Sequence, residues 1–93
     1  MIKIGVILIM NKYLITVIIP TAEMEFDIFI PNGKKVGAVK KFILEALKDL
    51  TDNVYSKAID EVRMIDRKTS IEYDNNLYVK DTNIKNGTKL VVI

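Results

Sequence analysis

The apolar positions of the chain fall into two periods, and each predicts its own kind of element. The segment YLITVII reads as a strand, with Tyr13, Ile15, Val17 and Ile19 on one face. EMEFDIFI alternates more cleanly, with Met24, Phe26, Ile28 and Ile30 on one side and Glu23, Glu25 and Asp27 on the other. Only Pro20, Thr21 and Ala22 separate the two runs, and a proline cannot continue a ladder, so an antiparallel hairpin is predicted. Residues 31–33, Pro-Asn-Gly, then break the second strand. Beyond them Val36, Val39, Ile43, Leu47 and Leu50 recur at steps of three and four, and Phe42 and Ala46 widen the stripe: an amphipathic helix. Asn32 is its predicted N-cap and Asn53 its stop. Gly37 costs about 1 kcal/mol against alanine inside a helix, which marks it as a first-turn position or a point of close contact with the sheet.

After the helix the elements shorten. Residues 51–60 read as a connector with a helical turn around 54–59, and EVRMID as a third strand with Val62 and Met64 inward. RKTS turns into a short fourth strand, IEY, and DNN turns again. TKLVVI closes the chain as a strand with Leu90 and Val92 inward. The predicted order is β-β-α-β-β-β, an α+β domain with one helix laid across one face of a sheet. Ninety-three residues suffice for one modest core.

The first twenty residues, MIKIGVILIMNKYLITVIIP, invite a membrane reading. Their apolar runs, 4–10 and 13–19, are split by Asn11 and Lys12, and neither reaches the ~20 residues of a spanning helix. No small-residue cleavage site follows, and the β-branched content favours strand. Residues 1–11 therefore read as an N-terminal extension or an extra strand. Alternatively Met10 is the natural start, because Gly5-Val6 can be encoded as a purine-rich string resembling a ribosome-binding site. The domain proper is 12–93. An added apolar strand would leave a sticky edge and one route to a homodimer.

The absent residue types narrow the chemistry. Cysteine and histidine are both zero, which excludes disulfides, a thiolate nucleophile, iron–sulfur clusters and Cys/His zinc sites. A Ser–His–Asp triad cannot exist, and Ser56 and Ser70 stand in loop-like surroundings with no base signalled nearby. No acidic spacing resembles a calcium loop. Neither catalysis nor a cofactor is expected. The formal charge of +2 is no strong nucleic-acid footprint. Locally, Lys34, Lys35, Lys40, Lys41 and Lys48 cluster on the helix, partly offset by Glu45 and Asp49. First-turn lysines oppose the helix dipole, which points to an anionic partner, either nucleic acid or an acidic surface. The plain reading is a solvated face, and the region has little aromatic interleaving for base stacking.

One constellation carries more. In IEYDNNLYVKDTNIKNGTKLVV, Val79 and Ile84 would anchor a tight loop, Asp81 would accept local backbone hydrogen bonds, and Gly87 would supply a positive φ before the last strand. With Leu90 and Val92, this segment resembles the closing segment of the ubiquitin-like β-grasp fold. Val36, Val39, Lys40 and Ile43 fit that superfamily's apolar–x–x–apolar–Lys–x–x–apolar helix start, and the resemblance covers roughly 12–93. The chain ends VVI, without the Gly-Gly tail of conjugated members, and lacks the cysteines of the ferredoxin type. What remains resembles the YukD family, small bacterial ubiquitin-like accessory proteins of type VII (WXG-type) secretion in low-GC Gram-positive bacteria. The shared features are the helix entry at Pro31, Lys34 and Lys35 and the ending at Ile84, Gly87 and Leu90. Ile, Lys and Asn, all with AT-rich codons, make up 34 of the 93 residues, which fits such a source. Residues 1–9 and the longer post-helix connector depart from the family.

The resemblance implies a non-catalytic, unconjugated adaptor in the cytoplasm, peripheral at the membrane secretion complex. Its partner would be a protein component such as the complex's membrane ATPase. The third and last strands should be adjacent, with Arg63, Ile65, Val91 and Ile93 outward. Ile65, Val91 and Ile93 correspond in placement to the apolar patch that ubiquitin-like proteins use for recognition, as a partner face or a dimer contact.

Overall fold

A computed structural model describes residues 11–93; the expectations that fall on residues 1–10, an extension, an extra strand or a start at Met10, lie outside the described residues. Strand β1, Lys12–Ile19, pairs antiparallel with β2, Met24–Pro31, in a register from Lys12 opposite Pro31 to Ile19 opposite Met24. The predicted hairpin is closed by one 3-10 turn, Pro20–Ala22, and Glu23 takes the left-handed φ of 52° that reverses the chain. Helix α1 follows at Val36–Leu50, then β3 at Met64–Asp66 and β4 at Lys89–Val92. The sheet order is β2-β1-β4-β3, with β4 parallel to β1 and antiparallel to β3.

The predicted fourth strand, IEY, is a single bridge between Ile65 and Glu72, so among the described residues the sheet has four strands where the sequence suggested five. Two backbone bonds frame the bridge, Asp66 N–H to Ile71 O and Tyr73 N–H to Met64 O, both 2.9 Å. Tyr73, next after the bridge, is buried in the core cluster.

Against the inner face lie Val36, Val39, Ile43, Leu44 and Leu47 of the helix. They meet Ile15, Val17, Ile19, Ile30, Met64, Leu90 and Val92 of the sheet. Each such side chain contributes about 1.5–3 kcal/mol when fully buried. Leu44 replaces Phe42 in the predicted stripe. At about 100° per residue, Phe42 falls roughly 60° outside the edge set by Val39, while Leu44 lies within about 40° of Lys40. Phe42 is accordingly exposed, and Leu50, though on the buried side by angle, is exposed as the last residue of the helix. Val79 and Ile84 are buried as expected, and Gly87 has φ 87°. The local acceptor foreseen at Asp81 is instead Thr82 Oγ1, which receives the Ile84 N–H at 3.1 Å.

Backbone bonds hold both helix ends, and at the C-terminal end the Thr51 hydroxyl adds a bond to Leu47 O at 2.8 Å. Lys35, not Asn32, is the N-cap, and its side chain caps nothing. The first-turn amides are taken by a distant loop: Val36 N–H donates to Leu77 O at 2.8 Å and Gly37 N–H to Asn75 O at 3.0 Å. A Cβ on Gly37 would stand 3.2 Å from that Asn75 oxygen, so the close contact inferred at Gly37 is with this loop and not with the sheet. At the other end, Asn53 N–H reaches Lys48 O at 2.8 Å and Asp52 N–H reaches Asp49 O at 3.3 Å, with both residues at left-handed φ. This is a Schellman stop, and Asn53 tolerates it better than most side chains. The connector's helical turn comes later than foreseen, at Ile59–Glu61.

Gly37→Val should cost about 1–3 kcal/mol through overpacking against the Asn75 carbonyl. Urea unfolding reads it directly; a midpoint equal to the parent's would show that the loop yields freely.

Candidate functional site

Helix α1 covers one face of the sheet, and among the described residues no element covers the other. Inward positions of β3 and β4 are Met64, Asp66, Leu90 and Val92, which leaves Arg63, Ile65, Val91 and Ile93 outward. Ile65 stands opposite Val91, and Val91 opposite Ile18 of β1. Directly opposite side chains on one face have Cβ atoms about 4.5–5.5 Å apart. Ile18, Val91 and Ile65 therefore form one continuous apolar row, each half-buried by its neighbours.

The row has fixed ends. Ile93 and Arg63 exchange two backbone bonds, Arg63 N–H to Ile93 O at 3.1 Å and Ile93 N–H to Arg63 O at 3.0 Å. That reciprocal pair extends the β3–β4 ladder and holds the exposed Ile93 side chain beside the row. Arg63 Nε lies 3.0 Å from Glu72 Oε1, an exposed ion pair worth about 0.2–1 kcal/mol. All four predicted outward residues are thus brought together.

Sequence reasoning missed three outer-face neighbours. Ile18 completes the row, and Leu14 opposite Phe29 forms a second apolar pair, 40% and 51% exposed. Between the two patches runs a polar belt in which Thr16 Oγ1 donates to Asp27 Oδ1 at 2.7 Å. The available signal was β1 itself. A strand with one face in the core usually carries polar residues on the other, and here only Lys12 and Thr16 do so.

The helix lysines regroup. Lys40 is only 4% exposed, so it is not part of the basic surface to which spacing assigned it. Its position lies within the buried arc of Val36, Ile43 and Leu47, and its methylene stem packs where an apolar side chain would. Lys41 and Lys48 stay exposed on the helix, and Lys34 and Lys35 precede it. Lys35 Nζ lies 5.8 Å from the Tyr78 ring centroid and Lys80 Nζ 6.0 Å.

The inward position that ends β3 is an acid. Asp66 Oδ1 accepts N–H bonds from Lys68 at 2.7 Å and Thr69 at 3.2 Å. Oδ2 accepts the Tyr73 hydroxyl at 2.8 Å and the Asn83 amide at 3.4 Å. The Tyr73 oxygen is also 2.7 Å from Asn83 Oδ1; with one proton to give, it donates to the carboxylate, the stronger acceptor. The Tyr73 bond leads in holding the Asp66 carboxyl below its usual range, against the opposing effect of burial. Burial, then Asp66, pushes the Tyr73 phenol well above its ordinary value. An Asp at an inward strand position was the overlooked signal. The cluster fixes the 67–70 turn at one end of the outer face.

Among the described residues no cluster of carboxylates could hold a metal ion, and no helix is long and apolar enough to cross a membrane. No protein-family model matches the chain, and no curated protein matches it in sequence. Solved structures do match. The ubiquitin-like domain of an Arabidopsis thaliana protein superposes with TM-score 0.67 at 18% identity, over 89% of this chain and 77% of that one. The ubiquitin of Caldiarchaeum subterraneum gives 0.68 at 13% identity, over 87% and 90%. A chain of the ESX-5 inner membrane complex gives 0.70 at 6% identity, over 89% of this chain and 21% of that much longer one. At these identities the likeness is one of fold, and it agrees with the helix and mixed sheet described above. The chain has the ubiquitin-like β-grasp fold.

Proposed function

We propose that the protein is a non-catalytic adaptor of a type VII secretion assembly, acting by association through the outer face of its sheet. The observation that carries the reading is the Ile18–Val91–Ile65 row with Ile93 and Arg63 at its end, on the face opposite the helix. An apolar centre inside a charged rim is the usual anatomy of a protein-binding patch, and Glu25, Glu72 and Arg63 supply such a rim here. The fold neighbours include a ubiquitin, and one of them is a chain of an inner membrane complex. The secretion context rests on these and on the resemblance at Pro31, Lys34, Lys35, Ile84, Gly87 and Leu90. In this reading the protein works in the cytoplasm, peripheral to the membrane complex, and holds a protein component such as its ATPase.

The test is co-purification with the membrane ATPase of a type VII secretion assembly, using the full chain. Saturable capture that Ile65→Asp removes supports the reading; capture indifferent to that change refutes the sheet-face mechanism. Sedimentation of the free protein distinguishes a dimer. Self-association at about micromolar concentration that Ile65→Asp abolishes would assign the face to a second copy.

A further inference from the structure

Next to the apolar row, one end of the sheet is basic. The turn after β3 and the loop before β4 enclose a groove of about 760 Å3, and Arg67, Lys68, Lys85 and Lys89 line it. The two walls are tied together, since Arg67 N–H donates to Lys89 O at 3.1 Å. All four cations are exposed, and among the described residues none is in an ion pair. The acid in the groove, Asp66, offsets one of the four charges while its oxygens are engaged by Lys68 N–H, Thr69 N–H, Tyr73 and Asn83, so the lining stays strongly basic. Residues 1–10 contain no acid either.

The groove is continuous with the docking face. Arg67 follows Ile65 by two residues on β3's path, and Lys89 precedes Val91 by two on β4. Alternation puts each basic residue on the same face as its apolar neighbour, about 7 Å along the strand. We propose that this groove binds the acidic part of a partner peptide whose apolar side chains lie on Ile65 and Val91. The inference rests on the sheet-face reading and adds the chemistry of the partner. An extended chain advances about 3.3 Å per residue, so apolar residues on the row are followed within two to four positions by carboxylates over the groove.

Two features select a peptide over other anions. A compact phosphate site is commonly built from free backbone N–H groups in a turn. In the 67–70 turn, the Lys68 and Thr69 N–H groups already serve Asp66. Single-stranded nucleic acid is commonly held by rings that stack its bases, and the groove lining has no aromatic side chain. Long, exposed lysines around a groove suit a row of carboxylates.

The experiment measures fluorescence anisotropy with two labelled peptides, Leu-Ile-Val-Glu-Glu-Asp-Glu and its neutral counterpart with Gln and Asn in place of Glu and Asp. Full-length protein, Ile65→Asp and a Lys68→Glu/Lys85→Glu variant are compared. The proposal expects the acidic peptide to bind at least about tenfold tighter than the neutral one. That preference should vanish in the charge-reversed variant and shrink as salt shortens the ~8 Å screening length. Equal binding of both peptides, both lost with Ile65→Asp, overturns the acidic groove and leaves the sheet face standing. Acidic binding indifferent to Ile65→Asp overturns the joint site and removes support for the sheet face. No saturable binding of the acidic peptide, or tighter binding of inorganic phosphate or a dT12 oligonucleotide, also overturns it. Circular dichroism identical to the parent's is required of each variant; should the double reversal unfold, Lys85→Gln alone is read for the same loss of preference.

Discussion

Asp66→Ala is expected to destabilise the fold by about 2–3 kcal/mol, the scale of hydrogen bonds to a charged group together with the polar groups it leaves unpaired. Asp66 is the acceptor that joins four donors from three places in the chain, the Lys68 and Thr69 amides of one turn, the Tyr73 hydroxyl and the Asn83 side chain. Without it the buried Tyr73 hydroxyl loses its charged partner, and the 67–70 turn, whose Ser70 sits at φ 61°, loses its anchor. Tyr73→Phe removes one of the four bonds and should cost less, about 1–1.5 kcal/mol. The pH dependence carries the sign of each shift. Asp66 is lowered in the fold, so its contribution is full above the unfolded value of about 3.9 and is lost as pH falls through the lower folded value. Tyr73 is raised, so its contribution is full below about 10 and is lost as pH climbs past the unfolded value toward the folded one. Urea midpoints at pH 3, 7 and 10.5 test both limbs. Asp66→Ala should be less sensitive than the parent to acid, and Tyr73→Phe less sensitive to alkali. Parallel profiles for parent and variants would mean that the cluster does not couple protonation to folding.

Under the proposed sheet-face docking, Ile65→Asp is expected to lose partner binding by about a hundredfold or more, with Val91→Asp close behind, and with circular dichroism unchanged in either. Both side chains point away from the helix-packed core, so a carboxylate there keeps its water in the free protein and loses it only on docking. The single variants are the cleaner probes. Ile65 and Val91 are directly opposite, and two carboxylates placed there would repel and lower stability by up to about 1 kcal/mol. Titration calorimetry with the purified partner gives the affinity, and thermal melts of the same samples give the fold. Undiminished affinity in both variants would move the interface off this face.

How much of this was legible depends on the range of the interactions involved. The β1–β2 alternation, the helix stripe, the stop at Asn53 and the positive φ at Gly87 are local signals. Each is decided within a turn or a strand pair, and the sequence carries it in spacing and residue type. Lys40 was misplaced because charge outweighed position in the reading. It sits at the four-residue step from Val36 that marks the buried face, and a lysine stem fills that space. Asp66 occupied a visibly inward position, yet its donors come from residues two to seventeen places away.

The outer face and the basic groove needed the fold. Parallel pairing of β4 with β1 places Ile18 against Val91, 73 residues along the chain, and no local period encodes that contact. The same topology brings the 67–69 turn to the 83–89 loop, where like charges gather at one end of the sheet. The helix N-terminus is capped by residues 75 and 77 for a similar reason, while the Asn32 available nearby is not the cap. By itself the sequence determined the inward face of each strand and most of the helix stripe, because burial follows the period of each element. Only the tertiary structure decided which outward residues meet, because strand order and loop closure set distances that one-dimensional spacing does not contain.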